Sequence, residues 1–303
     1  MLFRGKPVNN GEVSQLRTPL LMWPIAREAC LLIWKCREHF GRLLVVPTTF
    51  GILLSLANLY WFTEKDDTWR TMLFSFLIVI PHFLIFTFLA VSCHRSILMG
   101  THSVSRFGVP GWSMRETRFF LWLVGIYLLG YLFMVLFGAG LGMITFAAAE
   151  WLGKKIEAVK GIADHLTFSY ALMALTVVPF AYLVGRLSLV LPAVAVDLRP
   201  RVNPSWSLTD RNGWRVTVLV GGIPLLSSTL QVLLGLAVDW LTGISRLSDG
   251  NIQWHGTYSI AMSGLQSILH YVLATVEVAI LSLTFKELSG WQPSEVQVGK
   301  ERA

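Results

Sequence analysis

The chain has 303 residues, of which 54% are hydrophobic and only 14% are charged, and its mean hydropathy is +0.58. A soluble domain carries about 25% charged residues, because its surface must be solvated. The composition therefore argues against a soluble enzyme, a disordered chain and a secreted domain held by disulfides. The formal charge of +7 bears on membrane topology, and no nucleic-acid partner is expected.

Six apolar runs are long enough to cross roughly 30 Å of hydrocarbon as helices, which takes about 20 residues. They are Leu43 to Phe62, Thr71 to Cys93, Phe119 to Ala149, Leu166 to Val190, Trp214 to Val238 and Tyr258 to Thr284. The fourth run stays apolar up to Asp197, and Pro179 and Pro192 are the expected places for a bend. We therefore predict an all-α, polytopic integral membrane protein with six transmembrane helices.

The distribution of Lys and Arg predicts the orientation of these helices. Nineteen of the 25 basic residues fall before the first span, after the second, after the fourth or in the tail. The tryptophans lie near the predicted span ends and in the tail, as expected for indoles at the headgroup layer. The first 40 residues lack the pattern of a cleavable signal peptide. We expect a multi-pass membrane protein with both termini in the cytoplasm.

Outside the spans, we divide the chain into an N-terminal segment (1–40), a transmembrane domain (41–288) and a cytoplasmic tail (289–303). Residues 24–40 place one apolar stripe opposite a charged face, with Pro24 suited to the first helical position. This pattern predicts an amphipathic helix. Two placements stay open, one in the membrane interface and one packed on the bundle.

Two short elements carry a resemblance to a known family. The first is Cys93-His94-Arg95 and the residues up to Gly100; the second runs from Arg186 to Asp197 and continues through Ser205-Trp206 to Trp214-Arg215. They resemble the membrane domain of some bacterial glycerophosphoryl diester phosphodiesterases and of related inner-membrane proteins. The resemblance implies a six-span fold over roughly 25–290 in a bacterial inner membrane. It implies no established activity, since the phosphodiesterase chemistry belongs to a separate soluble domain.

Four ionisable side chains fall at depth, where such groups are costly and are functional candidates. Counting about 1.5 Å per residue puts Arg186 and Glu277 at matched depth near the inner boundary. We expect them to pair, or Arg186 to reach the inner phosphate layer. His82 and His270 fall near mid-membrane, with His270 on the same helix face as Glu277. Either these groups are structural ties, or they form a proton- or ion-coupled pathway.

Two further sets of residues are candidates for binding or packing. The cytoplasmic elements supply a basic surface for anionic lipid or an acidic partner, part of which is simply the positive-inside bias. Its residues are His94, Arg95, Arg199, Arg201, Trp206, Arg211, Trp214 and Arg215. Gly138 and Gly142 in the third span have the spacing of a close contact between helices.

The sequence contains no P-loop, HExxH or GxSxG motif, and its three cysteines have no CxxC spacing. We therefore expect no catalytic site, cofactor or metal. The function predicted first is a non-catalytic accessory or scaffolding subunit that binds phospholipids and other membrane proteins, or self-associates. The alternative is a proton-coupled or small-solute transporter that uses Arg186, Glu277, His270 and His82. An intramembrane enzyme acting on lipid headgroups would need a cluster of acids, bases or metal ligands that the sequence does not show.

Overall fold

The computed structural model describes residues 20–62, 68–108, 111–153, 166–198, 202–222, 229, 230, 233, 237 and 256–292. Within these residues the chain forms helices, one turn of 3-10 helix at Thr101–Ser103 and connecting turns, without a β-strand. The helices are α1 (Met22–Lys35), α2 (Arg37–Phe62), α3 (Thr68–Leu98), α4 (Met114–Gly153), α5 (Leu166–Leu187), α6 (Val190–Ala195), α7 (Val202–Leu208) and α8 (Gly256–Ser289). Residues 213–222 are also helical.

Five helical stretches are long and apolar enough to cross a membrane. They lie in α2, α3, α4, the α5–α6 pair and α8, and so correspond to the first four and the sixth predicted spans. The all-helical class is thus confirmed for the described residues, and five of the six predicted spans correspond to helices that are long and apolar enough to cross a membrane. The fifth predicted span begins in the helical segment 213–222, and most of its remainder lies outside the described residues.

The predicted amphipathic helix over 24–40 is wrong in one respect, because the chain divides it. α1 ends at Lys35, Cys36 forms the break, and residues 37–40 already belong to α2. The break lets Ile25 and Ala29 of α1 become buried on the bundle, where α1 packs against α8. Trp23 and Trp34 stay exposed, so the helix has both a packed side and an open one.

The fourth predicted span is interrupted at Ser188 and Leu189, between α5 and α6, rather than at a proline. Pro192 explains the position. A proline cannot donate a hydrogen bond to the carbonyl four residues earlier, and its ring clashes with that carbonyl. The carbonyl concerned belongs to Ser188, which instead accepts a bond from the N–H of Leu191 at 2.9 Å. Pro179, in contrast, lies within the unbroken helix α5.

The buried core lies toward one end of the bundle. It is built from the last turns of α3, the start of α4, the α5–α6 junction and the second half of α8. At this end α3 stops at Leu98, α4 begins at Met114, and α7 packs on α5. We call it the basic end, because it carries Arg95, Arg115 and Arg186 and the loop 209–212.

Candidate functional site

Arg186 is the centre of the basic end. The loop after α7 folds back beneath α5, so that Nε of Arg186 donates to Oγ1 of Thr209 at 2.7 Å and Nη2 to the carbonyl of Trp206 at 2.7 Å. Nη1 donates to the hydroxyl of Tyr182, one turn earlier on α5, at 3.0 Å. The guanidinium carbon also lies 3.7 Å from the centre of the Trp206 ring. Arg186 therefore ties α5 to the α7 segment.

The predicted pairing of Arg186 with Glu277 is wrong. Arg186 is only 7% exposed, and its three nitrogens all donate to neutral oxygens, those of Tyr182, Trp206 and Thr209. Glu277 instead lines an interior cavity between α3, α4, α5 and α8. It has no ion pair or hydrogen bond within the part of the chain that the structure describes. The residue count gave Arg186 and Glu277 the same depth, but it does not show which side of its helix each side chain lies on.

Asp197 gathers two further arginines. Its backbone is left-handed, with φ of 62°, and its Oδ2 lies 3.3 Å from Nη1 of Arg95 and 3.3 Å from Nη1 of Arg115. Arg95 also donates to the carbonyl of Ala195 at 3.3 Å. Arg115 pairs with the buried Glu116, whose carboxylate accepts the N–H of Ser113. Asp197 thus connects the end of α3, the start of α4 and the end of α6.

Arg95 and His94 are therefore not part of an open basic surface. Both are buried, since α3 continues past the predicted end of the second span. They point to different partners. Arg95 turns to Asp197, whereas Nδ1 of His94 lies 2.7 Å from Oγ of Ser282 on α8. The His-Arg element of the resemblance thus links α3 to two separate parts of the bundle.

Outside the Arg186 contacts lies an open pocket of about 410 Å³, the basic pocket. It is lined by Tyr182, Arg186 and all residues from Thr209 to Arg215. Arg211 is exposed and has a φ of 65°. Arg215 lies 3.3 Å from Oδ1 of Asn212, an oxygen that also accepts the N–H of Leu20 at 3.0 Å. The pocket therefore presents arginines at the start of the helical segment 213–222.

Two exposed indoles flank this pocket. Trp206 is 41% exposed and Trp214 is 58% exposed, and the Trp214 ring packs on Tyr182 with 4.9 Å between centres. Of the predicted basic surface, Trp206, Arg211, Trp214 and Arg215 thus lie together around Arg186. Arg199 and Arg201 lie outside the described residues.

The two intramembrane histidines lie in contact. Nε2 of His82 on α3 is 3.4 Å from Nε2 of His270 on α8. The hydroxyl of the fully buried Tyr271 lies 3.5 Å from Nδ1 of His82. Tyr271 also packs against Gly51 of α2, where an added Cβ would lie 2.6 Å from the ring. The matched depths predicted for the histidines are consistent with this contact, whereas Tyr271 and Gly51 gave no signal in the sequence.

The close approach described between α4 and α5 lies at Gly130, two turns before Gly138. A Cβ at Gly130 would lie 2.7 Å from the ring of Phe180 and 2.9 Å from a methyl group of Val184. Gly138 and Gly142 lie further along α4, and their role in packing stays a prediction.

Several residues that organise the basic end were missed. Thr209 and Asn212 had no predicted role, and Asp197 was predicted only to end the fourth apolar run. The available signal was position: Asp197 directly follows a long apolar run, on the side where most arginines fall. An acid placed there is a natural partner for basic side chains at a helix end.

Comparison with protein-family models, with curated proteins and with solved structures finds no match for this chain. Its function therefore has to be inferred from the side chains themselves.

Proposed function

We propose that this chain is a non-catalytic protein of a bacterial inner membrane that binds anionic phospholipid headgroups in its basic pocket. We further propose that it acts as an accessory or scaffolding subunit, with other membrane proteins or a second copy of itself as partners. The observation that carries the proposal is the pocket of about 410 Å³ lined by Arg186, Arg211 and Arg215.

The chemistry of the basic pocket suits a phosphate group. Guanidinium groups present paired N–H donors that match phosphate oxygens. The first backbone N–H groups of a helix favour an anion as well, and Gly213, Trp214 and Arg215 at the start of segment 213–222 all line the pocket. Asp210 is the acidic member of the lining. Two exposed indoles beside the pocket are typical of the headgroup layer.

The backbone at Arg211 supports a role for its side chain. A non-glycine residue with φ near +60° costs roughly 1–2 kcal/mol, which glycine would avoid. Arg211 nevertheless occupies such a position, with φ of 65°, and its side chain reaches solvent at the pocket. Backbone strain of this kind is typical of ligand sites.

The partner part of the proposal is supported by α4. Many large apolar side chains along this helix are exposed, namely Leu121, Leu128, Leu129, Leu132, Val135, Leu136 and Met143. In a membrane such a face contacts acyl chains or another helix. A long helix with so little of its face covered by its own chain is suited to hold a partner subunit.

Lipid binding can be tested on the purified protein in nanodiscs, with retained lipids counted by native mass spectrometry. We expect phosphatidylglycerol to be preferred over phosphatidylcholine by about tenfold, because both lipids carry the phosphate but the arginines of the pocket repel the choline cation. The double variant Arg211→Gln and Arg215→Gln should lose this preference. The matched control, Arg106→Gln with Arg118→Gln, removes two exposed charges outside the pocket lining and should keep it. Equal loss in both double variants would contradict a specific site. Added inorganic phosphate should compete only weakly if the acyl chains contribute to binding.

The orientation part of the proposal places the basic end in the cytoplasm. Cys30 on α1 is exposed, whereas Cys93 is buried and serves as an internal unreactive control. With Cys36→Ser, a membrane-impermeant maleimide should label Cys30 in inside-out vesicles and not in right-side-out ones. The reverse result would overturn this orientation.

Proton-coupled transport is the second candidate, favoured by the 3.4 Å contact between His82 and His270. One turn further along α3, Phe86 lines the cavity that also holds Glu277. Proteoliposomes carrying the wild-type chain should then dissipate an imposed pH gradient faster than those carrying Glu277→Gln. Equal rates in the wild type, the variant and protein-free liposomes would exclude this function.

A further inference from the structure

A second cavity, of about 200 Å³, lies inside the bundle between α3, α4, α5 and α8. It shares no lining residue with the basic pocket. Most of its wall is apolar, with Phe86, Phe119, Leu123 and Val184 among the lining residues. Apolar protein cavities of about 150 Å³ bind benzene. This interior cavity therefore has room for a substituted aromatic ring.

His94 is one of the residues that line the interior cavity, and its Nε2 is buried without a hydrogen-bond partner. The hydroxyl of Ser282 has one proton, which it donates to the carbonyl of Val278 at 2.8 Å. The tautomer of His94 that makes both contacts at once has the proton on Nδ1, which then donates to Oγ of Ser282 at 2.7 Å. In the neutral imidazole, Nε2 is then a hydrogen-bond acceptor. His94 is 1% exposed, so water at the protein surface does not satisfy it.

Glu277 is the second polar group in this cavity. Its carboxyl lies between α3, α4, α5 and α8 and makes no hydrogen bond or ion pair among the described residues. Buried polar groups in proteins are almost always hydrogen-bonded, and each exception calls for an explanation. Nε2 of His94 is such an exception in the wall of a ring-sized cavity, which indicates that a ligand completes it.

We propose that the interior cavity binds a membrane-soluble alcohol with a ring-sized apolar body. The apolar wall accommodates the body, and the hydroxyl donates to Nε2 of His94. Glu277 lies in the same cavity as a second polar contact for the ligand. An alkane or ether of the same size would leave Nε2 without a donor, so the site discriminates by the hydroxyl proton.

The test uses a matched pair of fluorinated probes with the full chain in nanodiscs, followed by ¹⁹F NMR. 4-(Trifluoromethyl)phenol should bind about tenfold tighter than trifluoromethylbenzene, referred to the concentration of each in the membrane phase, because one buried hydrogen bond separates them. His94→Phe should abolish this difference while trifluoromethylbenzene still binds. Equal binding of the two probes by the wild type would overturn the proposal.

Two further variants keep the result interpretable. His82→Phe changes an intramembrane histidine that does not line the cavity and should leave both affinities unchanged. Ala90→Leu narrows the cavity while His94 is kept, and should weaken the binding of both probes. This variant tests the site even if His94→Phe does not fold. If His82→Phe has the same effect as His94→Phe, the cavity is not the binding site.

Quinols are a natural membrane source of a hydroxyl group on a ring-sized body, whereas the acyl chains of a diacylglycerol exceed a cavity of about 200 Å³. A short-chain benzoquinol should therefore displace the bound fluorophenol, and dioctanoylglycerol should not. No displacement by the benzoquinol, or displacement by dioctanoylglycerol alone, would overturn the assignment.

Discussion

The two cavities of this molecule differ in whether their polar side chains have hydrogen-bond partners within the protein. In the basic pocket, Arg186 has three hydrogen-bond partners and Asn212 accepts from Leu20. In the interior cavity, Glu277 and Nε2 of His94 have no partner among the described residues. The first pocket is complete without a ligand and presents surplus positive charge. The second lacks hydrogen bonds. The first is therefore suited to an anion at the membrane surface, and the second to an apolar molecule that brings its own donor.

The largest expected effect comes from removing the arginine that organises the basic pocket. Arg186→Ala should lower the free energy of unfolding by about 3 kcal/mol, because it removes three hydrogen bonds of a buried guanidinium, to Tyr182, Trp206 and Thr209. Unfolding in mixed micelles by SDS titration measures this loss. The control Arg106→Ala, at an exposed position of the same end, should have little effect. Equal losses would show that Arg186 is not the tie between α5 and α7.

The interior cavity is a distinct feature only if the helices are tightly packed elsewhere in the bundle. A substitution at Gly51 tests that packing. A Cβ at Gly51 would lie 2.6 Å from the Tyr271 ring, so Gly51→Ala should cost about 2 kcal/mol through forced displacement. At Gly41 on the same helix nothing lies within 4 Å. Gly41→Ala should instead be neutral or stabilising by up to about 1 kcal/mol. The same SDS titration compares the two, and a tolerated Gly51→Ala would contradict this packing.

If the comparison of the two cavities is right, replacing Glu277 should raise the free energy of unfolding, whereas replacing Arg186 should lower it. Glu277→Leu replaces an unpaired carboxyl in an apolar wall, and should raise the free energy of unfolding of the ligand-free protein by about 1–2 kcal/mol. Thermal unfolding in detergent provides the measurement. A destabilised variant would mean that Glu277 has a structural partner.

A smaller effect is expected at Asp197, which holds Arg95 and Arg115. The substitution Asp197→Asn keeps a residue that tolerates the left-handed backbone and removes the charge. Because the carboxylate is half exposed, we expect a loss of about 1 kcal/mol. The difference between the variant and the wild type should shrink at high salt. A loss that is independent of salt would assign the role of Asp197 to its hydrogen bonds alone.

The smallest change in stability is expected at Arg211, with a clear change in binding. Arg211→Gly removes the cost of a positive φ and should leave stability unchanged or raise it by up to about 1 kcal/mol. Retention of phosphatidylglycerol should fall at the same time. A variant that loses stability but keeps its lipid would reverse the role given to this side chain.

The sequence predicted those features that depend on position along the membrane normal. Apolar runs located five spans, and a rise of about 1.5 Å per residue placed His82 and His270 at one depth, where they lie in contact. The same counting placed Arg186 beside Glu277 and was wrong, because depth does not give rotation about the helix axis. Each residue adds about 100°, so a partner on another helix depends on packing. The helix is interrupted at Ser188, one turn before Pro192, because the proline cannot donate a hydrogen bond to the carbonyl four residues earlier.

The partners of Arg186 could not be predicted for a related reason. Thr209 and Trp206 reach it only because the loop after α7 folds back beneath α5. Such a reversal leaves no periodic pattern in the sequence. The basic residues themselves were visible, and so was their concentration at one end of the predicted spans. Which of them are bound internally and which remain open to a ligand required the packed structure.

The most direct measurement is an experimental structure of the full chain in nanodiscs that contain phosphatidylglycerol. We predict a lipid phosphate in the basic pocket, within hydrogen-bonding distance of the guanidinium groups of Arg211 and Arg215. A pocket without a phosphate, with phosphatidylglycerol bound elsewhere on the bundle or not at all, would contradict the proposal that this protein binds lipid headgroups there.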